Sequence, residues 1–188
     1  MFPQTPAAKA ALSVATRFYS PALLNHCVRS YLWGAAYAGA HAIAFDDELY
    51  YVSAMLHDIA LTDPFDSHKI AFEEAGGDLA WVFGTATGWS EDRAVRAREI
   101  IVLHMRDDVA PTVDPESHLL QVATSWDVVG LRPEEFPPDR SPRPLSPDRL
   151  RRRVRGVLRG SGATQARQRR GRVDCQQRCA ADRGQPAR

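Results

Sequence analysis

Along the first 130 residues the apolar positions recur at three- and four-residue intervals, and the strict alternation of a half-buried strand is scarce. Polar punctuation breaks this pattern into segments. Thr5-Pro6, Ser20-Pro21 and Asp114-Pro115 each place a capping side chain before a proline suited to the first helical turn. The acidic clusters 46–48 and 90–92 mark two further starts, where a helix dipole favours negative charge. Helices are predicted over 6–18, 21–38, 47–60, 67–75, 78–86, 91–105 and 115–129, so the body is expected to be all-α.

One helix is apolar nearly all round. In "DDELYYVSAMLHDIAL" (46–61), Leu49, Val52, Leu56 and Ile59 form one stripe, while Tyr50, Tyr51 and Ala54 cover much of the opposite side. Such a helix is expected to be buried on every face. It nevertheless carries His57 and Asp58 side by side. Burying an imidazole and a carboxylate costs several kcal/mol unless each finds a partner, roughly 2–7 for an unsatisfied polar group and more for a charge. On a helix the two project about 100° apart and can reach one point beside it. Either they hydrogen-bond to each other and to a neighbouring helix, or a cation lies between them.

Three further residues bear on that choice. His26 lies in "SPALLNHCVRSYLWG" with apolar neighbours on both sides. Asp127 falls in the last predicted turn before Gly130, where the dipole presents its negative end; an apolar setting there disfavours a carboxylate unless it faces solvent or a positive charge sits beside it. His104, in "REIIVLHM", shares a stripe with Ala97, Ile100 and Ile101, the place of an ordinary buried histidine. His41, His68 and His118 read as surface or helix-end residues, and Cys27 as a small core residue.

The order His26, His57-Asp58, Asp127 resembles the H…HD…D signature of the HD-domain superfamily of metal-dependent phosphohydrolases. The likeness covers roughly residues 20–136, and "NHCVRSYLWG", "LHDIALTD", "FEEAGG", "IIVLHM" and "LLQVATSWDVVGL" look like successive segments of its cyanamide-hydratase-like branch. The resemblance implies an HD-domain helical bundle over residues 1–136 holding one divalent transition metal (zinc, iron or manganese) through His26, His57, Asp58 and Asp127. Two imidazoles and two carboxylates suit those ions. It further implies that Asp58 and His104 act in catalysis, and that Phe72 and Glu73 of the branch's Phe-Glu-x-x-Gly segment contact substrate. Where the branch often has an arginine before that phenylalanine, this chain has Ala71.

The implied reaction is attack of metal-activated water on a phosphate ester or on a small nitrile- or cyanamide-like carbon. Between residues 20 and 106 the basic side chains are few (Arg29, Lys69, Arg93, Arg96, Arg98 and Arg106), which inclines the reading towards a small neutral substrate.

Charge divides the chain. Residues 1–139 hold 9 Lys and Arg against 20 Asp and Glu, and residues 140–188 hold 15 Arg against 3 Asp, so the net +1 describes neither part. From 132 to 147 the chain is proline-rich, and "RLRRRVRGVLRGSGATQARQRRGRV" follows with few large apolar residues. A segment of this kind cannot bury enough surface to offset its conformational entropy, and disorder is expected over 137–188. The abrupt change reads as a divergent terminus or as translation in a shifted frame. The rival function is a non-catalytic regulatory or nucleic-acid-binding module using the arginines of this tail. The lack of interleaved aromatics argues against nucleic acid. No apolar stretch suits a membrane span, and three cysteines make no disulfide framework, so a cytoplasmic protein acting on a small molecule is expected.

Overall fold

The computed structural model describes residues 2–106 and 109–130. The predicted boundary at 137, the tail after it and every reading placed on that tail lie outside the described residues. Among the described residues there are six α-helices and no strand: α1 (Pro6–Phe18), α2 (Pro21–His41), α3 (Asp47–Leu56), α4 (Phe72–Ala86), α5 (Glu91–Leu103) and α6 (Pro115–Val129). The all-α expectation is borne out. No helix among them is long and apolar enough to cross a membrane.

The punctuation residues do what their chemistry suggests. Thr5, Ser20 and Asp114 accept backbone N–H groups of Ala8, Leu23 and Ser117, each ahead of a proline in the first turn. Asp46 and Ser90 cap α3 and α5 in the same way. Each such cap contributes about 1 kcal/mol.

α3 is the axis of the bundle and packs against all five other helices. Every residue from Leu49 to Leu56 is buried, as its all-round apolar pattern requires. Neighbours satisfy two of its polar groups: the Tyr50 hydroxyl donates to the Ser30 carbonyl at 2.8 Å, and the amide of its capping residue Asp46 donates to Glu116 at 2.6 Å. The Tyr50 ring reaches Ser30 only because Gly34 has no side chain; a Cβ there would stand 1.8 Å from the Tyr50 hydroxyl oxygen. Two arginines of α5 tie the capping ends of its neighbours. Arg93 pairs with Asp46 and Glu48, and Arg96 pairs with Asp114 and Glu116.

The structure departs from the pattern-based expectations in four places. The helices expected over 67–75 and 78–86 are one helix that begins only at Phe72. The gap left between those two ranges falls on Gly76 and Gly77, yet both lie inside α4, where a Cβ would meet the His57 carbonyl at 3.0 Å and the Arg98 carbonyl at 3.1 Å. Glycine costs a helix interior about 1 kcal/mol relative to alanine, and here close approach to α5 and to the His57 turn offsets that. Second, α3 ends at Leu56 rather than at 60, and a short 3-10 turn, Ile59–Leu61, follows. Third, α2 runs three residues past 38 to His41. Fourth, His118 is buried rather than superficial: the first turn of α6 faces inward, and the His118 ring Nδ1 donates to the Val109 carbonyl at 2.7 Å. His41 is exposed at the end of α2 and His68 is exposed in a loop, as expected. Cys27 is fully buried.

Gly34→Ala is expected to destabilise the fold by roughly 1–3 kcal/mol through overpacking against Tyr50, read as a lowered midpoint in urea. Asp114 yields a pH-dependent expectation. Burial alone would raise its carboxyl, but hydrogen bonds from Arg96 and Ser117 more than offset this and hold it below the ordinary carboxylate range. A depressed folded-state pKa adds stability above the unfolded value and loses it as pH falls through the folded one. Asp114→Asn is therefore expected to destabilise clearly at pH 7, with the gap to wild type closing in urea melts at and below pH 3.

Candidate metal centre

The two residues that opened the question sit where α3 gives out. His57 keeps helical backbone angles (φ −58°, ψ −31°), and Asp58 turns away (φ −103°, ψ 13°). Carbonyls in a last helical turn have no partner within the helix. The imidazole of His57 takes one of them, its Nδ1 donating to the Ala54 carbonyl at 3.0 Å. With Nδ1 carrying that proton, the neutral ring presents a lone pair at Nε2. His26, in the second turn of α2, is fixed in the same tautomer by a side chain: its Nδ1 donates to Asp127 Oδ2 at 2.7 Å.

The two Nε2 atoms face each other at 3.2 Å. Asp58 Oδ2 completes a triangle, 3.3 Å from His57 Nε2 and 3.6 Å from His26 Nε2. His57 and Asp58 are buried and His26 is half-buried. Three acceptors this close repel one another unless a cation is shared among them. A proton can satisfy one pair, whereas a metal ion satisfies all three. Metal–ligand bonds of about 2.0–2.2 Å place neighbouring ligand atoms roughly 2.8–3.6 Å apart at coordination angles between 90° and 109°. The observed edges match, and His26, His57 and Asp58 could hold a metal ion.

The electrostatics point the same way. Burial disfavours a charged His57 ring, but the adjacent Asp58 carboxylate and the Cys27 thiol together outweigh it and push the imidazole well above its ordinary range. For Asp58, burial acts to raise the carboxyl, and the facing His57 and His26 rings more than offset it, so that it is lowered. The cluster favours positive charge at its centre.

Asp127 is placed differently from the other three predicted ligands. It lies on the opposite edge of the His26 ring and outside the three-atom cluster. The positive charge that its helix-end position called for is Arg29, whose Nε and Nη2 donate to Asp127 Oδ1 at 2.5 Å and Oδ2 at 2.8 Å. Burial would raise this carboxyl; the bonds from His26 and Arg29 more than reverse that and hold it far below the carboxylate range. Arg29 is the partner that pattern reading missed. The available signal was its spacing, one helical turn after His26 on the same face.

His104 follows α5 as His57 follows α3, and its Nδ1 likewise donates to the carbonyl three residues back, that of Ile101. Its ring packs edge-on against His57 with centroids 5.1 Å apart. Burial first, and the charge on His57 second, push its pKa down to about 4, so it is a neutral imidazole. Phe72, at the start of α4, lies 6.1 Å from the His104 ring. Glu73 follows it, half-buried, and no hydrogen bond or ion pair among the described residues links it to the cluster.

No family model matches the chain. Two curated proteins of Saccharomyces cerevisiae, cyanamide hydratase DDI2 and cyanamide hydratase DDI3, are each 32% identical to it over 133 residues, which cover 68% of this chain and 59% of either relative. The chain thus spans under two thirds of the length of the curated relatives it matches. Over that span the helical body is similar to these two cyanamide hydratases.

Proposed function

We propose that this protein is a metal-dependent enzyme that adds water to a small, neutral, cyanamide-like nitrile. The observation that carries the reading is the buried triangle of Nε2, Nε2 and Oδ2 atoms, which needs one cation to satisfy three acceptors. Two imidazoles and a carboxylate suit zinc, iron or manganese and leave further coordination positions open. Such an ion supplies a Lewis acid that lowers the pKa of water and polarises the carbon under attack. The names of the two yeast relatives supply the substrate class.

The arginines favour a neutral substrate over a phosphate ester. Of the six basic side chains between residues 20 and 106, five are engaged by carboxylates: Arg29 by Asp127, Arg93 by Asp46 and Glu48, Arg96 by Asp114 and Glu116, Arg98 by Asp78 and Glu74, and Arg106 by Glu74. Lys69 lies in an exposed loop. A phosphate dianion would have to compete for Arg29, Arg93, Arg96 and Arg98, already held by charge-assisted bonds of 2.5–2.9 Å, while Arg106 lies 3.8 Å from Glu74 and is exposed.

In the hydration, an oxygen–carbon bond forms between water and the nitrile carbon while one proton of that water moves to the nitrile nitrogen, giving an imidic acid, and the second proton then moves from oxygen to nitrogen as the C=O bond forms. The product is a carboxamide, or urea from cyanamide, with no oxidant or reductant involved. His104 is suited to carry the proton: it is neutral, its Nδ1 is committed to Ile101, and its Nε2 remains an acceptor. Asp58 is the second acceptor within reach of the centre. Phe72 supplies an apolar wall beside His104. Nothing in the geometry gives Glu73 a substrate role.

Elemental analysis of the purified protein is expected to show close to one equivalent of transition metal, with His57→Ala losing both the metal and cyanamide hydration, followed as urea release. Metal-free wild-type protein, or hydrolysis of p-nitrophenyl phosphate in preference to cyanamide, overturns the reading. His104→Gln is expected to keep the metal and lower kcat by about 10²–10⁴-fold, the usual worth of a positioned acid–base group. Loss of metal in that variant would instead make His104 a ligand.

A further inference from the structure

Residues 62–71 run from the short turn that follows Asp58 to Phe72, which opens α4 beside the His104 ring. The segment therefore has one end on each side of the site, and only its first half is fixed. Thr62 is buried, its hydroxyl donates to the Ile59 carbonyl at 2.7 Å, and its own carbonyl accepts from the amides of Phe65 and Asp66, each at 2.9 Å. The Phe65 ring then packs edge-on against Phe18 of α1, with centroids 4.8 Å apart.

The second half has no comparable restraint. The Lys69 amide donates to Ser67 Oγ at 3.4 Å, and His68 faces Asp66 at 3.3 Å with both side chains exposed, so these contacts stay inside the segment. Among the described residues no hydrogen bond or ion pair ties 67–70 to a helix. The junction with α4 is also loose. Thr5, Ser20, Asp46, Ser90 and Asp114 close the other helix starts with a side chain, whereas Ala71 has none to offer. Segments with few buried contacts open and close at low free energy. The large apolar side chain of this half, Ile70, is nonetheless 48% exposed, two residues before Phe72.

We propose that residues 66–71 are a lid of the site: hinged at the Phe65 anchor and at Ala71, they carry Ile70 towards Phe72 and His104 when a small substrate is bound. This inference rests on the enzymatic reading above. A molecule as small as cyanamide supplies little contact energy of its own. Covering Ile70 offsets much of the cost of ordering the segment, so the little that the substrate adds tips the balance towards closure. The closed lid sheds bulk water from the wall formed by Phe72, and it has to reopen before the product leaves.

Hydrogen exchange on the zinc-loaded full chain, read by mass spectrometry, tests the lid without relying on turnover. Residues 66–71 are expected to exchange within seconds in the absence of cyanamide and at least about tenfold more slowly under saturating cyanamide, with 62–65 unchanged. Protein that takes up no zinc or does not hydrate cyanamide overturns the reading beneath the proposal. Protein that does both, with exchange at 66–71 indifferent to cyanamide, overturns the lid alone. Ile70→Ser is expected to lower kcat/KM at least about tenfold at unchanged zinc content and Tm, while Ile70→Val keeps most of the activity. Full activity in Ile70→Ser, or a loss accompanied by lost zinc, also overturns the lid.

Discussion

Two ring nitrogens and a carboxylate oxygen, none carrying a proton in the neutral-imidazole, ionised-carboxylate form, are held 3.2 to 3.6 Å apart in a place largely closed to water. Much of the architecture can be understood as holding that unfavourable grouping in place. α3 delivers His57 and Asp58 at its end and packs against every other helix, so the pair cannot swing away. α2 carries His26 one and a half turns from its capped start, and α6 brings Asp127 up behind it. α4 can lie against the His57 turn because Gly76 lacks a side chain, and against α5 because Gly77 does. Packing free energy from the whole bundle thus opposes a local electrostatic cost, and a shared cation would convert that cost into binding.

The distribution of charge around this point follows a simple division. The described body is rich in carboxylates, and its arginines are spent on them at helix starts and at the back of the site. Ion pairs of this kind, partly open to solvent, contribute little individually, about 0–1 kcal/mol each. Their stronger effect is exclusion: a guanidinium locked to a carboxylate no longer recruits anionic ligands. On the proposed reading, the cation would then be the main positive charge at the centre, which suits a substrate without charge of its own.

A good part of this was legible in the order of residues. Capping side chains before prolines mark three helix starts, and the unbroken apolar surface around 49–56 announces the buried axis. The difficulty of placing a carboxylate at residue 127 implied a positive neighbour, and there is one. Its identity was less accessible, because the partner comes from a helix almost a hundred positions earlier, and the place of Arg29 one turn after His26 does not by itself tie it to residue 127. Gly76 and Gly77 misled for a related reason: a glycine pair ends many helices, and only the tertiary neighbours at 3.0 and 3.1 Å show that these two serve close approach instead. The early end of α3 also escaped the pattern, since apolar residues continue through Ile59 and Ala60 although the backbone has already changed form. His118 is hidden because the first turn of α6 faces inward, an orientation fixed by packing rather than by local propensity.

One feature shared by His57 and His104 reaches beyond this molecule. Each ring is oriented by a main-chain oxygen three residues back, Ala54 in one case and Ile101 in the other. A contact of that kind cannot be deleted by changing the side chain that bears it, because every amino acid brings the same carbonyl. Proton placement on both rings is thus insulated from genetic drift at those two positions, whereas the corresponding arrangement on His26 depends on Asp127, and through it on Arg29, and is heritable only while both persist.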